Sequence, residues 1–409
     1  MELNIDYVRK QFPSLSGDWV FFENAGGTQV LQSTALRIGD YLINTNVQLG
    51  ASYEVSQRAG ERVDEGIRGM GEYINASDKS EIILGSSTSM LFRLLSMSMG
   101  EFFKAGDEVI VTNCDHEANI GPWRTFEKKG ITVKEWKINR ETFDLEIEEL
   151  GKLMTEKTRF VALTHTSNVL GTINGIKKIA SFVHERGAWI GVDGVAYAPH
   201  RLPDVQDLDV DFYAFSFYKV YGPHYSILYG KKEHLERLPG VNHFFLEKEI
   251  PYKFQPGHVN FELTYGLLGL KDYLIGLASV HSNGEKIVSF RKGAEIAFDL
   301  IAKHEEKLSK RLLEFLNCKR SVRIIGKTEW GREVRVPTVS FVVKGKSADE
   351  IPLEVEKHKI AIRSGDFYAR RLIDYLGLSE QGGVIRVSMV HYNTLEEVDR
   401  LIGILDELL

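Results

Sequence analysis

Between residues 81 and 230 the chain alternates two kinds of hydrophobic pattern. Short, nearly continuous apolar runs at 81–84, 108–112, 159–164, 189–192, 211–215 and 225–229 predict buried strands. The stretches between them place apolar residues three or four apart, which predicts helices over 88–104, 118–129 and 176–186. Strands alternating with helices in this way predict an α/β fold, a mostly parallel central sheet with helices on both faces. After residue 280 the pattern changes. A long charged amphipathic helix is expected over 285–316, with strands at 321–325, 338–343 and 384–389 and helices at 348–358 and 395–408. This is the pattern of a smaller α+β C-terminal domain. The expected division is an N-terminal arm over 1–20 packing on the small domain, a large domain over 21–280 and a small domain over 281–409.

Composition adds mainly exclusions. With 43% hydrophobic and 26% charged residues the chain has the make-up of an ordinary globular protein. A net charge of −6 leaves no basic footprint for nucleic acid. No apolar run reaches the length needed to span a membrane. The start, Met1-Glu2-Leu3-Asn4-Ile5-Asp6, carries acid where a secretory signal would carry base. Two cysteines, Cys114 and Cys318, make no disulfide framework. A cytoplasmic location is the expectation.

The candidate chemistry lies at the carboxyl ends of the predicted strands, where open α/β sheets bind ligands. Asp193 ends one strand, and Lys219 follows the next, 26 positions later. An acid and an amine so placed converge on one cofactor. The arrangement suits pyridoxal phosphate, with Lys219 forming a Schiff base and Asp193 keeping the pyridinium nitrogen protonated. Singly, each also fits a surface lysine or a helix-capping aspartate. Gly85-Ser86-Ser87-Thr88-Ser89 joins a strand to a helix, where hydroxyls and backbone N–H groups favour a phosphate, or simply cap the helix. Ser216 adds a hydroxyl three positions before Lys219. His116, in Asp115-His116-Glu117-Ala118-Asn119, suits stacking on an aromatic ring or proton exchange, and equally a solvated histidine at a helix start. Asn168 suits donation to the cofactor's phenolic oxygen, or an Asn-driven turn. Arg363 and Arg386 have the shape for a two-point hold on a carboxylate, against the alternative of surface ion pairs. Arg386 stands in an otherwise apolar strand, which favours a bound partner.

Taken in order, Gly85-Ser86-Ser87, Asp115-His116-Glu117-Ala118-Asn119, Ser167-Asn168-Val169-Leu170-Gly171, Val192-Asp193-Gly194, Ser216-Phe217-Tyr218-Lys219-Val220-Tyr221-Gly222-Pro223, Ile362-Arg363-Ser364-Gly365, Arg386 and Tyr392-Asn393-Thr394 resemble the class V aminotransferases, in the branch of cysteine desulfurases and selenocysteine lyases. The resemblance spans nearly the whole chain. It implies fold type I, pyridoxal 5'-phosphate as cofactor, and a homodimer with active sites at the subunit interface. It implies Lys219 as the Schiff-base lysine, Asp193 as the pyridinium partner, His116 as the stacking residue and Asn168 as a ring contact. Ser86, Ser87 and Ser216 would meet the phosphate, and Arg386 the substrate carboxylate.

Four positions depart from that pattern. Tyr368 stands where desulfurases carry their nucleophilic cysteine, and a phenol cannot take up sulfur as a thiolate does. Tyr218 replaces the histidine before the lysine. Val195-Ala196 replaces a glutamine that meets the phenolic oxygen. Gly257-His258-Val259-Asn260 replaces a hydroxyl that reaches the partner subunit's phosphate, which leaves His258 as the candidate contact there. Substrate binding is expected to involve Arg386, Arg363, Tyr218 and Tyr368, and side-chain selectivity Tyr218, His258, Tyr368 and Leu49-Gly50-Ala51-Ser52. The function expected is pyridoxal phosphate-dependent chemistry on a small L-amino acid, of lyase type at Cβ: C–S cleavage, desulfination or β-decarboxylation, with carbon–carbon bond formation to an aldehyde as a related outcome. The alternatives are an aminotransferase using a 2-oxo acid and a non-catalytic binding protein of the same fold.

Overall fold

The computed structural model of the chain describes every residue except 283 and 285. Its strands are β1 (Val20–Phe21), β2 (Ile82–Gly85), β3 (Glu108–Thr112), β4 (Thr132–Trp136), β5 (Thr158–Thr164), β6 (Trp189–Asp193), β7 (Phe212–Ser216), β8 (Ser226–Gly230), β9 (Val322–Ile325), β10 (Thr338–Val343), β11 (Ile360–Ala361), β12 (Arg363–Gly365) and β13 (Val384–Ser388). Seven form one sheet in the order β2-β8-β7-β6-β5-β3-β4. The pairs from β7 to β4 are parallel. At the other edge β8 runs antiparallel to both β7 and β2. The carboxyl ends of β2, β3, β5, β6 and β7 therefore share one edge, and the beginning of β8 joins them there.

The central strands are apolar on both sides because helices cover both faces. Phe160, Val161, Ala162 and Leu163 in β5 are fully buried, and alternate residues belong to different hydrophobic clusters on the two faces. Each such large side chain contributes about 1.5–3 kcal/mol by leaving water. The helix Thr88–Phe102 starts at Ser87, whose Oγ accepts from the Met90 N–H at 3.1 Å. The expected helix over 118–129 is not continuous. It is a 3₁₀ turn Glu117–Asn119, a short helix Gly121–Arg124 and a second 3₁₀ stretch Thr125–Lys129. Pro122 lacks an N–H and restricts its neighbour, so one long helix cannot run through this segment. The helices Gln32–Asn44 and Glu54–Ile74 and strand β4 were not anticipated from the hydrophobic pattern.

A second sheet of four antiparallel strands, β12-β13-β10-β9, is built from the last third. Its apolar face, with Val339, Phe341, Ile385 and Val387, has its own core together with Leu308, Leu312 and Leu401 from flanking helices. The long helix runs Phe290–Asn317, capped by Ser289. Its expected start at Glu285 lies outside the described residues. The helix expected over 348–358 is Glu350–Val355 followed by a 3₁₀ turn Glu356–His358. β1 pairs with β11, so the chain after the first 20 residues is stitched to the C-terminal part. The helix Ile5–Lys10 also bridges, through Arg9 bonded to Glu397 at 2.7 Å and to the Tyr392 carbonyl at 2.9 Å.

Gly171 fixes the approach between the two sheets. Its φ is +70°, and a Cβ there would come within 2.3 Å of the Thr338 carbonyl oxygen at the start of β10. Gly171→Ala is therefore expected to destabilise the protein by about 3 kcal/mol, from backbone strain and overpacking together. Denaturant unfolding measures it, and a loss under 1 kcal/mol would show that the two sheets separate easily at this point.

Candidate active site

Lys219 leaves the end of β7 on a 3₁₀ turn, Phe217–Lys219, and is 7% exposed. Burial, and then the positive charge of Arg386, pull its pKa below the ordinary lysine value, while Asp193 opposes them. Asp193 ends β6 and is also buried. Its Oδ1 accepts from the Val195 N–H at 2.8 Å, and its other oxygen takes no hydrogen bond among the described residues. Burial pushes this carboxyl above the usual aspartate range, with the Val195 bond and Lys219 pulling the other way. Among the described residues neither group has an ion-pair partner within 4 Å, and burial outweighs the Val195 bond at Asp193, which leaves both ready to meet a ligand.

Both line a cavity of about 60 Å³ at the shared strand edge, with Ser87, Thr88 and Ser216 toward the Thr88–Phe102 helix. Thr88 Oγ1 lies 2.7 Å from Ser216 Oγ, which lies 2.8 Å from Ser226 Oγ. The sheet register explains this cluster, since Ser226 pairs with Gly85 on one side and Ser216 on the other. A hydroxyl cluster beside a helix N-terminus is a suitable end for a phosphate. His116 lines the same cavity. Its Nδ1 accepts from the Ala118 N–H at 3.1 Å, and burial, Lys219 and Arg386 push its pKa down to about 4. The ring is neutral at ordinary pH and presents a flat face.

His116, Asn168, Tyr218 and Lys219 also line a cleft of about 370 Å³, closed on its other side by residues of the small sheet. Arg386 is 3% exposed. Its guanidinium lies 3.6 Å from the centre of the Phe367 ring, and Nη1 donates to the Asn168 carbonyl at 3.1 Å. Its Nε is buried without a partner, and burial lowers its pKa to about 9. Arg363 stands directly opposite Arg386 across β12 and β13. It is 65% exposed and pairs with Glu23 at 2.9 Å. Asn168 donates from Nδ2 to the Phe367 carbonyl at 2.8 Å, so one of its amide donors is engaged by the turn after β12, and its Oδ1 is buried without a partner among the described residues. Tyr368 faces His116, ring centres 5.2 Å apart, and Tyr218 stacks on His224 at 4.8 Å.

The fold thus brings together Ser87, His116, Asn168, Asp193, Ser216, Tyr218, Lys219, Arg363, Tyr368 and Arg386. Ser86 and His258 are exposed and lie outside the lining of the cavity and the cleft. Thr166 and Ser226 escape sequence reasoning. The hydroxyl of Ser226 joins the site only through strand register, for which the local sequence carries no signal. The residues present fit pyridoxal phosphate: a buried amine, a carboxyl with one free oxygen, a hydroxyl-lined helix start and orphaned polar atoms on Asn168 and Arg386.

These features define a pyridoxal phosphate-dependent enzyme. The chain belongs to the class V aminotransferase family, described as "Aminotransferase class-V", which matches residues 20–401. It is similar to the aminotransferase-like protein FGM3 of Gibberella zeae, 44% identical over 418 residues, covering 99% of this chain and 98% of that protein. It is similar also to the cysteine desulfurase-like protein ustD of Aspergillus flavus, at 33% identity, covering 99% of this chain and 91% of that one. Among solved structures, the apo cysteine desulfurase of Thermococcus onnurineus NA1 superposes with a TM-score of 0.86 at 25% identity, covering 100% of this chain and 98% of that chain. The fold-type-I architecture expected from the sequence is the one these structures share. Among the described residues, no helix is long and apolar enough to cross a membrane.

Proposed function

We propose that the protein is a pyridoxal phosphate-dependent enzyme that acts on a small L-amino acid, with Lys219 as the residue that anchors the cofactor, with lyase-type chemistry at Cβ and without a protein-bound persulfide. C–S cleavage, desulfination and β-decarboxylation are the reactions in this class, with protonation of Cβ or its addition to an aldehyde as alternative outcomes. The observation that carries the reading is Tyr368. It lines the cleft against His116, and the family resemblance puts it at the position of the desulfurase nucleophile. Neither thiol can replace that group. Cys114 is buried, and burial together with the neighbouring Asp115 pushes its pKa up, away from the reactive thiolate. Cys318 caps the far end of the helix Phe290–Asn317.

Pyridoxal phosphate, when bound, supplies an electron sink for charge developing at Cα. In this reading the free oxygen of Asp193 holds the proton on the ring nitrogen. Lys219 would hold the cofactor by its amine and, once the substrate amine has displaced it, would be free to move the proton at Cα, a task for which its depressed pKa suits it. Arg386 takes the α-carboxylate on its unsatisfied donors, and the neutral His116 backs the ring. Ser87, Thr88 and Ser216 meet the phosphate. A homodimer belongs to this reading. The exposed apolar side chains Leu36, Ile43, Phe244 and Phe245 support it, and His258 would serve the second subunit's cofactor.

Spectral screening of the twenty L-amino acids, cysteine sulfinate and selenocysteine, with analysis for pyruvate, alanine and sulfide, tests the reading. Stoichiometric amination of an added 2-oxo acid would replace it by aminotransfer. A Cys114→Ala, Cys318→Ser double variant is expected to keep full activity on whichever substrate the screen identifies. Mass spectrometry after L-cysteine treatment is expected to show no added sulfur. A gain of one sulfur atom on either cysteine, coupled to alanine release, would make the chain a desulfurase with a relocated nucleophile.

A further inference from the structure

Phe367 and Tyr368 carry φ values of +52° and +60°, two consecutive side-chain-bearing residues in the left-handed region. L-residues avoid that conformation, and a pair of them persists only where the surroundings hold it. Within the turn, Asp366 accepts two bonds, at Oδ1 from the Tyr368 N–H at 3.0 Å and at its carbonyl from the Ala369 N–H at 2.8 Å. The rest of the hold comes from the other side of the cleft. Asn168 donates to the Phe367 carbonyl, and the Glu117 N–H donates to the Tyr368 carbonyl at 2.8 Å. Three residues beyond Tyr368, Arg371 grips the Glu117 carboxylate with both arms of its fork, Nε to Oε2 at 3.0 Å and Nη2 to Oε1 at 3.2 Å.

Glu117 is the residue after His116, and its carboxylate passes over Gly121, where a Cβ would stand 3.2 Å from Oε1. The nearby Arg124 is committed to Glu127 and Glu135, so it does not compete with Arg371 for Glu117. The fork therefore joins the segment that carries His116 to the helix Arg370–Tyr375 that follows the strained turn. Two rings are placed as a result. Tyr368 packs against His116, and the Phe367 ring lies under the Arg386 guanidinium, 3.6 Å from its central carbon.

We propose that the Glu117–Arg371 pair is a clamp that positions the Phe367–Tyr368 turn, and through it the carboxylate-binding face of Arg386. Glu117 and Arg371 line neither the cavity nor the cleft and are positioning residues. The inference rests on the proposed role of Arg386 for its effect on substrate, and on geometry alone for its effect on the turn. Opening the clamp leaves only the Asn168 bond and the Glu117 N–H bond across the cleft, besides the two Asp366 bonds within the turn, so the turn relaxes and Arg386 loses its platform.

The test uses the cofactor-loaded full chain as wild type, Glu117→Gln, Arg371→Gln and the charge-swapped double variant Glu117→Arg, Arg371→Glu. Hydrogen exchange of the amides of residues 367–369 is expected to quicken about tenfold or more in each single variant and to slow again in the swap. With L-cysteine sulfinate as probe, KM is expected to rise about fivefold in the single variants, the order of a partly exposed two-point ion pair, with kcat changed less than twofold. The unchanged visible absorbance of the bound cofactor reports that each variant is folded. Exchange in the single variants equal to wild type, or a swap as loose as they are, would overturn the clamp. A quickened turn with KM unmoved would overturn its link to Arg386. Failure of the wild type to respond to any amino acid would remove the proposed function instead, and the exchange result would still decide the clamp.

Discussion

Lys219→Ala is expected to lose the borohydride-fixable cofactor completely and to lower kcat/KM by roughly 10³–10⁴ or more, since both the covalent hold and the proton carrier vanish. The lysine is buried at the end of β7, so truncation leaves the sheet intact and a small void in the cavity. Peptide mapping after reduction checks the assignment, and a pyridoxyl-lysine found elsewhere in the chain would sink it. The depressed pKa adds a pH signature. Only the neutral amine attacks the cofactor aldehyde, so capture by the cofactor-free protein quickens as pH rises. Because burial and Arg386 lower the lysine's pKa, capture should level off below the ordinary lysine value of about 10.4. A rate still climbing at that pH would mean an amine in contact with water.

Asp193→Asn is expected to keep the fold, because an amide oxygen can still accept the Val195 N–H. It removes the charge that pairs with the ring nitrogen, and turnover should fall about 10²-fold or more, with weaker retention of the cofactor. Stopped-flow kinetics and cofactor release followed by absorbance measure both. Wild-type rates in this variant would take Asp193 out of the site. Acid provides a second reading. Burial raises the carboxyl of Asp193, so in the cofactor-free protein it gains its proton at higher pH than an ordinary aspartate, and cofactor capture should weaken as pH falls through that range. In the asparagine variant this acid limb should be missing.

Much of the site was legible because its residues sit at strand ends, and strands buried on both faces announce themselves as apolar runs. Asp193, Ser216 and Lys219 follow such runs directly, and Asn168 and His116 follow within four residues of β5 and β3. What escaped is long-range or weakly patterned. The helix Glu54–Ile74 contains Gly60, Gly66, Gly69 and Gly71, which read as breakers. In the fold Gly66 is where the helix meets another backbone, since a Cβ there would stand 2.4 Å from the Thr264 carbonyl oxygen. β4 is an edge strand with few buried positions and no clear alternation. Ser226 enters through register, and Arg371 through a contact with a residue 254 positions away, which no local pattern encodes. The broken helix after His116 shows the limit of periodicity, because apolar spacing continued where Pro122 interrupts the backbone.

The facing positions of Arg363 and Arg386 carry an evolutionary consequence. Two like charges opposed on neighbouring strands repel, and Glu23 answers one of them. In the proposed reading a carboxylate bound at Arg386 relieves that repulsion, which makes the substrate a stabilising ligand of the small sheet as well as a reactant. A mutation that neutralised Arg386 would gain stability in the resting protein at the expense of capture. In the same reading, drift toward a sturdier small sheet is opposed at this pair by the need to retain substrate.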